Sequence, residues 1–222
     1  MTLLEFSRGP MLHAALVIFV FGVLWRLTTV LLLGWRKHYS EARNPTARAV
    51  TGGLIAVGNR SWPHPEFIGR TAFGEAVGYG YHIGLFAIVL LGAPHVVFWK
   101  NLFGINASWW YTLPSGIISV ISIVTIFLML IATIRRMRHP PLRRISNFDD
   151  WFSLVILYVL MISGVMAVFG IGGRYEIILA IHIISFNALL IWFPFSKLMH
   201  AFYIFPSRFI NGYMHEKKGA AS

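Results

Sequence analysis

The sequence predicts an all-α integral membrane protein, a bundle of five membrane-spanning helices. Only 12% of the 222 residues are charged and 57% are hydrophobic, whereas roughly a quarter of a soluble domain is charged. Five segments each supply the roughly 20 mostly apolar residues that cross a bilayer. All eight acidic residues lie outside the long apolar runs, so we expect no carboxylate in mid-membrane. This composition excludes a cytosolic enzyme and a disordered tail, and the absence of cysteine excludes disulfides, cysteine-ligated clusters and thiol catalysis.

The predicted spans follow one another along a single domain over residues 1–222. The first is too long for the apolar core of a signal peptide and lacks both a basic start and a small-residue cleavage site, so we expect it to be retained. Asn147 and Asp149 predict the start of the fourth span, and Gly170 its end. A cytoplasmic loop over 35–77 is too polar to span, and we expect an interfacial helix near 48–57 within it. The five predicted spans are 11–34, 78–99, 113–134, 151–171 and 175–198.

Positive charge predicts the orientation of the chain. Of the 19 lysines and arginines, 15 fall in the loops between spans one and two and between spans three and four, or in the C-terminal segment. Because basic residues concentrate on the cytoplasmic side, the N-terminus is predicted outside and the C-terminus in the cytoplasm. The net charge of +11 then belongs to the cytoplasmic rim, and no nucleic acid partner is expected.

Histidines within the spans indicate a cofactor. Ionisable side chains are costly in lipid and indicate function, and a neutral imidazole is a common axial ligand of haem iron. His182 and His200 are 18 residues apart, which on a straight helix is five turns and about 27 Å. Spans two and five run in opposite directions, so that His82 would meet His200 on the cytoplasmic side and His95 would meet His182 on the outer side. The sequence therefore predicts two haems, each held by two histidines, stacked across the membrane.

The outer pair leaves one alternative open. On an ideal helix His95 lies roughly 140° away from the face of His82, although a kink at Pro94 could bring it back. His13, near the outer end of the first span, is the other candidate for the fourth ligand. Arg26 lies within the first span, where it either binds a haem propionate or extends its side chain to the cytoplasmic interface.

The second half of the chain resembles the gamma subunit of respiratory nitrate reductases. The likeness lies in a histidine pair at this spacing with Pro-Phe-Ser-Lys over residues 194–197 before the second histidine. Tyr81-His82-Ile83-Gly84 is similar to the start of that family's second helix, and Trp25-Arg26 to part of its first. The same cytochrome type occurs in heterodisulfide-reductase-like and sulfite-reduction complexes. Here the histidines of the second span are further apart than in the nitrate reductase members, and the first loop is longer.

The resemblance implies a dihaem b-type cytochrome subunit of a multisubunit oxidoreductase in the inner membrane of a prokaryote. It would oxidise menaquinol or ubiquinol near the outer face and pass electrons to a cytoplasmic iron–sulfur subunit and its catalytic subunit. By position, His82 and His200 would ligate the inner haem iron, and His95 and His182 the outer one. No catalytic residue is assigned. Two rival classes are a haem-free membrane anchor and a proton-coupled transporter subunit. Transporters typically have internal repeats, or broken helices with buried acids, and the sequence shows neither.

Overall fold

The computed structural model describes residues 1–32, 41–105 and 108–220. Within these ranges the chain forms α-helices and short 3-10 turns and no β-strand. The turns are Pro65–Phe67, Phe193–Phe195 and Lys197–Met199. The helices are α1 Leu3–Arg8, α2 Pro10–Leu32, α3 Thr46–Asn59, α4 Ile68–Leu91, α5 Ala93–Phe103, α6 Ser115–Arg138, α7 Pro140–Ile145, α8 Phe148–Phe169, α9 Tyr175–Trp192 and α10 His200–Lys217.

Among the residues that the structure describes, five helical segments are long and apolar enough to cross a membrane, which confirms the predicted all-α class and its five spanning helices. They are Leu3–Leu32, Pro65–Leu91, Ser115–Arg138, Phe148–Phe169 and Tyr175–Phe195. The predicted orientation of the termini stays a prediction.

The bounds of all five spans differ from the predicted ones, and the largest differences are in the second and the fifth. The second helix starts at Ile68 and therefore takes up the end of the predicted loop, and it stops at Leu91 instead of continuing to residue 99. The fifth helix stops at Trp192, and two 3-10 turns follow it. Proline explains both ends, because Pro94 and Pro194 have no N–H to continue the helical hydrogen bonds. The helix expected near 48–57 is present as α3, and its place at a membrane interface stays a prediction.

Local capping chemistry fixes the ends of α8 as the sequence predicts. The Asn147 side chain accepts from the backbone N–H of Asp150, and the Asp150 carboxylate accepts from that of Asn147. Gly170 ends the helix in the left-handed conformation (φ 64°) that glycine adopts without strain. The helix therefore begins and ends at residues that satisfy its terminal backbone groups.

The chain divides into two compact units. Unit 1 comprises Met1–Leu16 and Phe73–Leu189, and unit 2 comprises Val17–Ala72 and Leu190–Ser222. The prediction of a single domain over residues 1–222 stays a prediction.

In unit 1, helices α4, α6 and α8 pack around a small core of Ile88, Met129 and Met161. Small residues allow the backbones of α4 and α6 to approach, because a Cβ atom at Gly84 would overlap the Thr125 hydroxyl. Thr125 donates that hydroxyl back to a carbonyl of its own helix, so the contact buries no unpaired polar group. Small residues at a close crossing are typical of helix pairs in membranes.

In unit 2, α3 packs against α10 along a seam of small residues. Ala49, Gly52, Gly53 and Ala56 are the buried residues of α3, and a Cβ atom at Gly53 would lie 2.7 Å from the Phe209 ring. One ion pair joins the two helices, with 2.6 Å between Arg48 Nε and Glu216 Oε1.

Candidate functional site

Two histidine rings lie side by side in unit 1. His95 is near the start of α5 and His182 is in α9, and the ring centroids are 6.1 Å apart with an interplanar angle of 39°. Both side chains are half-buried. The outer pair predicted from the sequence is therefore adjacent in the structure.

One nitrogen of each ring is fixed by a backbone carbonyl. His95 Nδ1 lies 2.9 Å from the Ile88 oxygen, and His182 Nδ1 lies 2.9 Å from the Leu160 oxygen. Because a carbonyl oxygen only accepts, both Nδ1 atoms donate and carry the proton, which leaves a lone pair on Nε2. Metal-ligating histidines usually have this second hydrogen bond, which sets the tautomer and the ring orientation.

A glycine makes room for each ring. A Cβ atom at Gly164 of α8 would lie 2.9 Å from His182 Cε1, and one at Gly92 would lie 3.0 Å from His95 Nδ1. Both distances are short of the roughly 3.5–4.0 Å at which carbon atoms pack without strain. The two glycines therefore allow the histidines to reach the carbonyls of Ile88 and Leu160.

The position of His95 depends on the break between α4 and α5. Gly92 is extended (φ −72°, ψ 125°) and Pro94 occupies the first turn of α5, so the chain changes direction just before the histidine. The sequence allows a kink at Pro94, whereas the structure has a complete interruption at Gly92. The ideal-helix angle of roughly 140° between His82 and His95 does not apply across it.

Every carbonyl that this break frees has a donor. A helix end leaves four carbonyls without partners inside the helix, and in lipid each must be satisfied from within the protein. The donors come from residues after the break. They are Gly92 N and His95 Nδ1 for Ile88 O, Trp99 Nε1 for Val89 O (3.0 Å), Trp110 Nε1 for Leu90 O (2.7 Å) and Leu113 N for Leu91 O (2.9 Å).

The geometry of the pair can be compared with that of a bis-histidine metal. Metal–imidazole nitrogen bonds are about 2 Å long, so two histidines would hold one metal only where both rings lie within a few ångströms of it. The ring centroids of His95 and His182, 6.1 Å apart, meet that requirement. No group of three or more histidine or acidic side chains forms a metal site among the described residues, but a bis-histidine haem needs only two protein ligands.

The histidines predicted for the inner haem have the same local chemistry. His82 donates Nδ1 to the Gly78 carbonyl at 2.8 Å, and His200 donates Nδ1 to the Lys197 carbonyl at 2.8 Å. Their pairing stays a prediction, because His82 belongs to unit 1 and His200 to unit 2. The straight-helix spacing of five turns between His182 and His200 is wrong, since the α-helix ends at Trp192 and His200 begins α10.

The two remaining candidates are exposed. His13 lies on α2 with an exposed side chain, and no side-chain hydrogen bond to it occurs within the described part of the chain. Arg26, also on α2, is exposed and forms no ion pair with any described residue. Neither alternative for Arg26, propionate binding or extension to the interface, is decided by this position.

Sequence analysis missed the residues that support the histidines. Gly164 and the carbonyls of Ile88 and Leu160 give no signal in a sequence. The indoles of Trp99 and Trp110, which cap the end of α4, lie far along the chain from the carbonyls they bind. The chain is interrupted at Gly92 and again after Trp192, and neither complete interruption was predicted from the sequence.

Comparison with known proteins gives one relative without a functional name. The chain is 28% identical over 214 residues to a protein of Nitratidesulfovibrio vulgaris, covering 91% of this chain and 89% of the relative. No family model matches the chain. No solved structure matches it either.

Proposed function

We propose that this protein is a dihaem b-type cytochrome subunit of a respiratory oxidoreductase. In this proposal it oxidises membrane quinol near the outer face of a prokaryotic inner membrane and passes electrons through two haems to a cytoplasmic iron–sulfur subunit and its catalytic subunit. His95 and His182 hold the outer haem, and His82 and His200, on sequence grounds, hold the inner one.

One observation carries the proposal: two half-buried histidines in a spanning protein have ring centroids 6.1 Å apart, each with Nδ1 bonded to a carbonyl. A histidine that only joins two helices by a hydrogen bond would need no second histidine beside it. Here each ring has a separate carbonyl partner, and Nε2 is the nitrogen that stays available to iron.

When bound, the haems would supply one-electron carriers between a two-electron quinol and the iron–sulfur partner. The protein's own contribution is orientation. The Ile88 and Leu160 carbonyls hold the Nδ1 protons and so keep Nε2 unprotonated, and they make each imidazole a stronger donor to a metal. The indoles of Trp99 and Trp110 stabilise the helix end that positions the carbonyl of Ile88.

Proton release needs no buried acid in this proposal. The eight acidic residues lie outside the long apolar runs, so protons of quinol would leave directly to the outer surface. The predicted orientation agrees with this, since it places His95 and His182 at the outer side and most basic residues at the cytoplasmic side.

The hydrogen bonding at the break between α4 and α5 favours a cytochrome over a transporter. In transporters, broken helices expose backbone carbonyls that coordinate the transported ion. Here the four carbonyls freed at the end of α4 accept hydrogen bonds from the protein itself. A haem-free anchor would give no reason for the paired histidines.

The ligand assignment is tested by haem counts in purified variants. We expect His182→Ala and His200→Ala each to lose one of two haems, and His64→Ala, in the polar loop, to keep both. Pyridine haemochrome quantitation per chain and reduced-minus-oxidised spectra measure this directly. If either His182→Ala or His200→Ala retained two haems, the assignment of that residue would be wrong.

A further inference from the structure

Helix α3 has an apolar face that no described residue covers. The small residues at positions 49, 52, 53 and 56 are buried against α10. On the opposite side Val50, Leu54 and Ile55 are 39%, 63% and 50% exposed. Thr51 lies between them. Its hydroxyl donates to the carbonyl of Ala47 at 3.2 Å, so the donor on this face is already hydrogen-bonded. The α3 apolar face is defined here by Val50, Thr51, Leu54 and Ile55.

The exposed surface of α10 is mixed in character. Gly212 of α10 is buried against α3, where a Cβ atom would contact Ala56 and the Gly52 carbonyl. Away from this contact Asn211 is exposed, and the apolar Phe205 and Ile210 are 57% and 38% exposed. The apolar face of α3 on one side and an exposed polar position on α10 are features of an amphipathic element at a membrane surface.

Charge is placed at the rim of the apolar face. Within α3 the only charged side chain is Arg48, and it is paired with Glu216. Exposed arginines stand just before and just after the helix, at Arg43 and Arg60. Basic side chains at the edge of an apolar helix face favour contact with anionic lipid headgroups.

We infer that the α3 apolar face lies on the lipid bilayer, with α3 in the plane of the membrane and Asn211 of α10 turned to water. The bilayer is already the surroundings of this chain through its five spanning helices, and it needs no further protein. A face kept for a protein partner would be exposed to water in the isolated subunit, which is the outcome that the test below distinguishes.

Site-specific fluorescence tests this inference, because the chain has no cysteine and one introduced cysteine takes a label without background. Leu54→Cys reports on the apolar face, and Asn211→Cys is the matched control at an exposed polar position of α10. Each variant is labelled with an environment-sensitive dye and reconstituted alone in phosphatidylcholine–phosphatidylglycerol vesicles. Quenching is measured with a lipid carrying a nitroxide on an upper acyl carbon, and separately with aqueous iodide.

We expect the lipid nitroxide to quench the label at position 54 several-fold more strongly than the label at 211, and iodide to show the reverse order. Val50→Cys gives a second reading of the same face if the label at 54 disturbs the fold. Equal iodide quenching at 54 and 211 without lipid quenching would overturn the inference and indicate a face for a protein partner. Strong lipid quenching at both positions would also overturn it, because the pair would then have no water-facing side. The quenching measurements do not depend on haem binding.

Discussion

Replacing Gly164 with alanine tests how His182 is held. The added Cβ atom would lie 2.9 Å from His182 Cε1 and 3.2 Å from Nδ1. Since carbon atoms pack at about 3.5–4.0 Å, the ring would have to retreat by roughly 0.6 Å or more. The ring cannot retreat freely, because its Nδ1 is bonded at 2.9 Å to the carbonyl of Leu160, which like Gly164 lies in α8. A retreat of that size would lengthen this hydrogen bond to the limit of about 3.2–3.5 Å.

Gly164→Ala is expected to change the unfolding free energy only slightly and the haem affinity strongly. Overpacking costs about 1–3 kcal/mol, while alanine is favoured over glycine inside a helix by about 1 kcal/mol, so the net change in unfolding free energy is about 0–2 kcal/mol. Loss of a hydrogen bond to a metal-ligating histidine lowers metal affinity by about 10–100-fold. We therefore expect Gly164→Ala to fold and insert but to bind the outer haem much more weakly.

The assay is a haem titration of the purified variant followed by its reduced-minus-oxidised spectrum. Gly116→Ala is the matched control, because Gly116 is also in a spanning helix and a Cβ atom there meets nothing within 4 Å. We expect Gly116→Ala to titrate like the natural protein and Gly164→Ala to lose or weaken one haem. An unchanged affinity and spectrum for both haems in Gly164→Ala would refute the packing of His182 against α8.

Three further predictions follow from the same structure. His95→Ala should lose one haem and His13→Ala none in the pyridine haemochrome assay; the reverse result would transfer the fourth ligand to helix α2. Trp110→Phe leaves one carbonyl of α4 without its indole donor and should lower the unfolding free energy by about 1–3 kcal/mol in detergent melts. The control Trp109→Phe, at a position that is 79% exposed, should change it little. Equal melting of the two variants would argue against the hydrogen bond from Trp110 to the end of α4. Gly212→Val should separate α3 from α10 at a cost of about 1–3 kcal/mol. Limited proteolysis should then cut the loop before α4 faster than in the natural protein. An unchanged cleavage rate would contradict the close packing of α3 against α10.

The spanning helices could be predicted because their signal is local. A run of about 20 apolar residues is sufficient evidence for a helix that crosses a bilayer, and the capping residues of α8 lie within three positions of one another. The adjacency of His95 and His182 followed from matching depths on antiparallel helices, which requires only the rise per residue.

The support of the pair could not be predicted, because it depends on contacts between distant residues. The donors for Val89 and Leu90 lie 10 and 20 residues further along the chain, and no periodicity indicates such bonds. The spacing argument for His200 failed for a related reason, since Pro194 ends the α-helix and Ser196 is extended (φ −113°, ψ 173°), so ideal-helix arithmetic does not extend past Trp192.

The central claim, that this chain carries two b-type haems on paired histidines, is tested most directly by counting haem in the purified protein. Pyridine haemochrome quantitation against chain concentration, with a reduced-minus-oxidised spectrum of the same sample, gives that number. The account predicts two b haems per chain. Protein purified after expression with ample haem supply that bound none would contradict it and favour the haem-free anchor or the transporter.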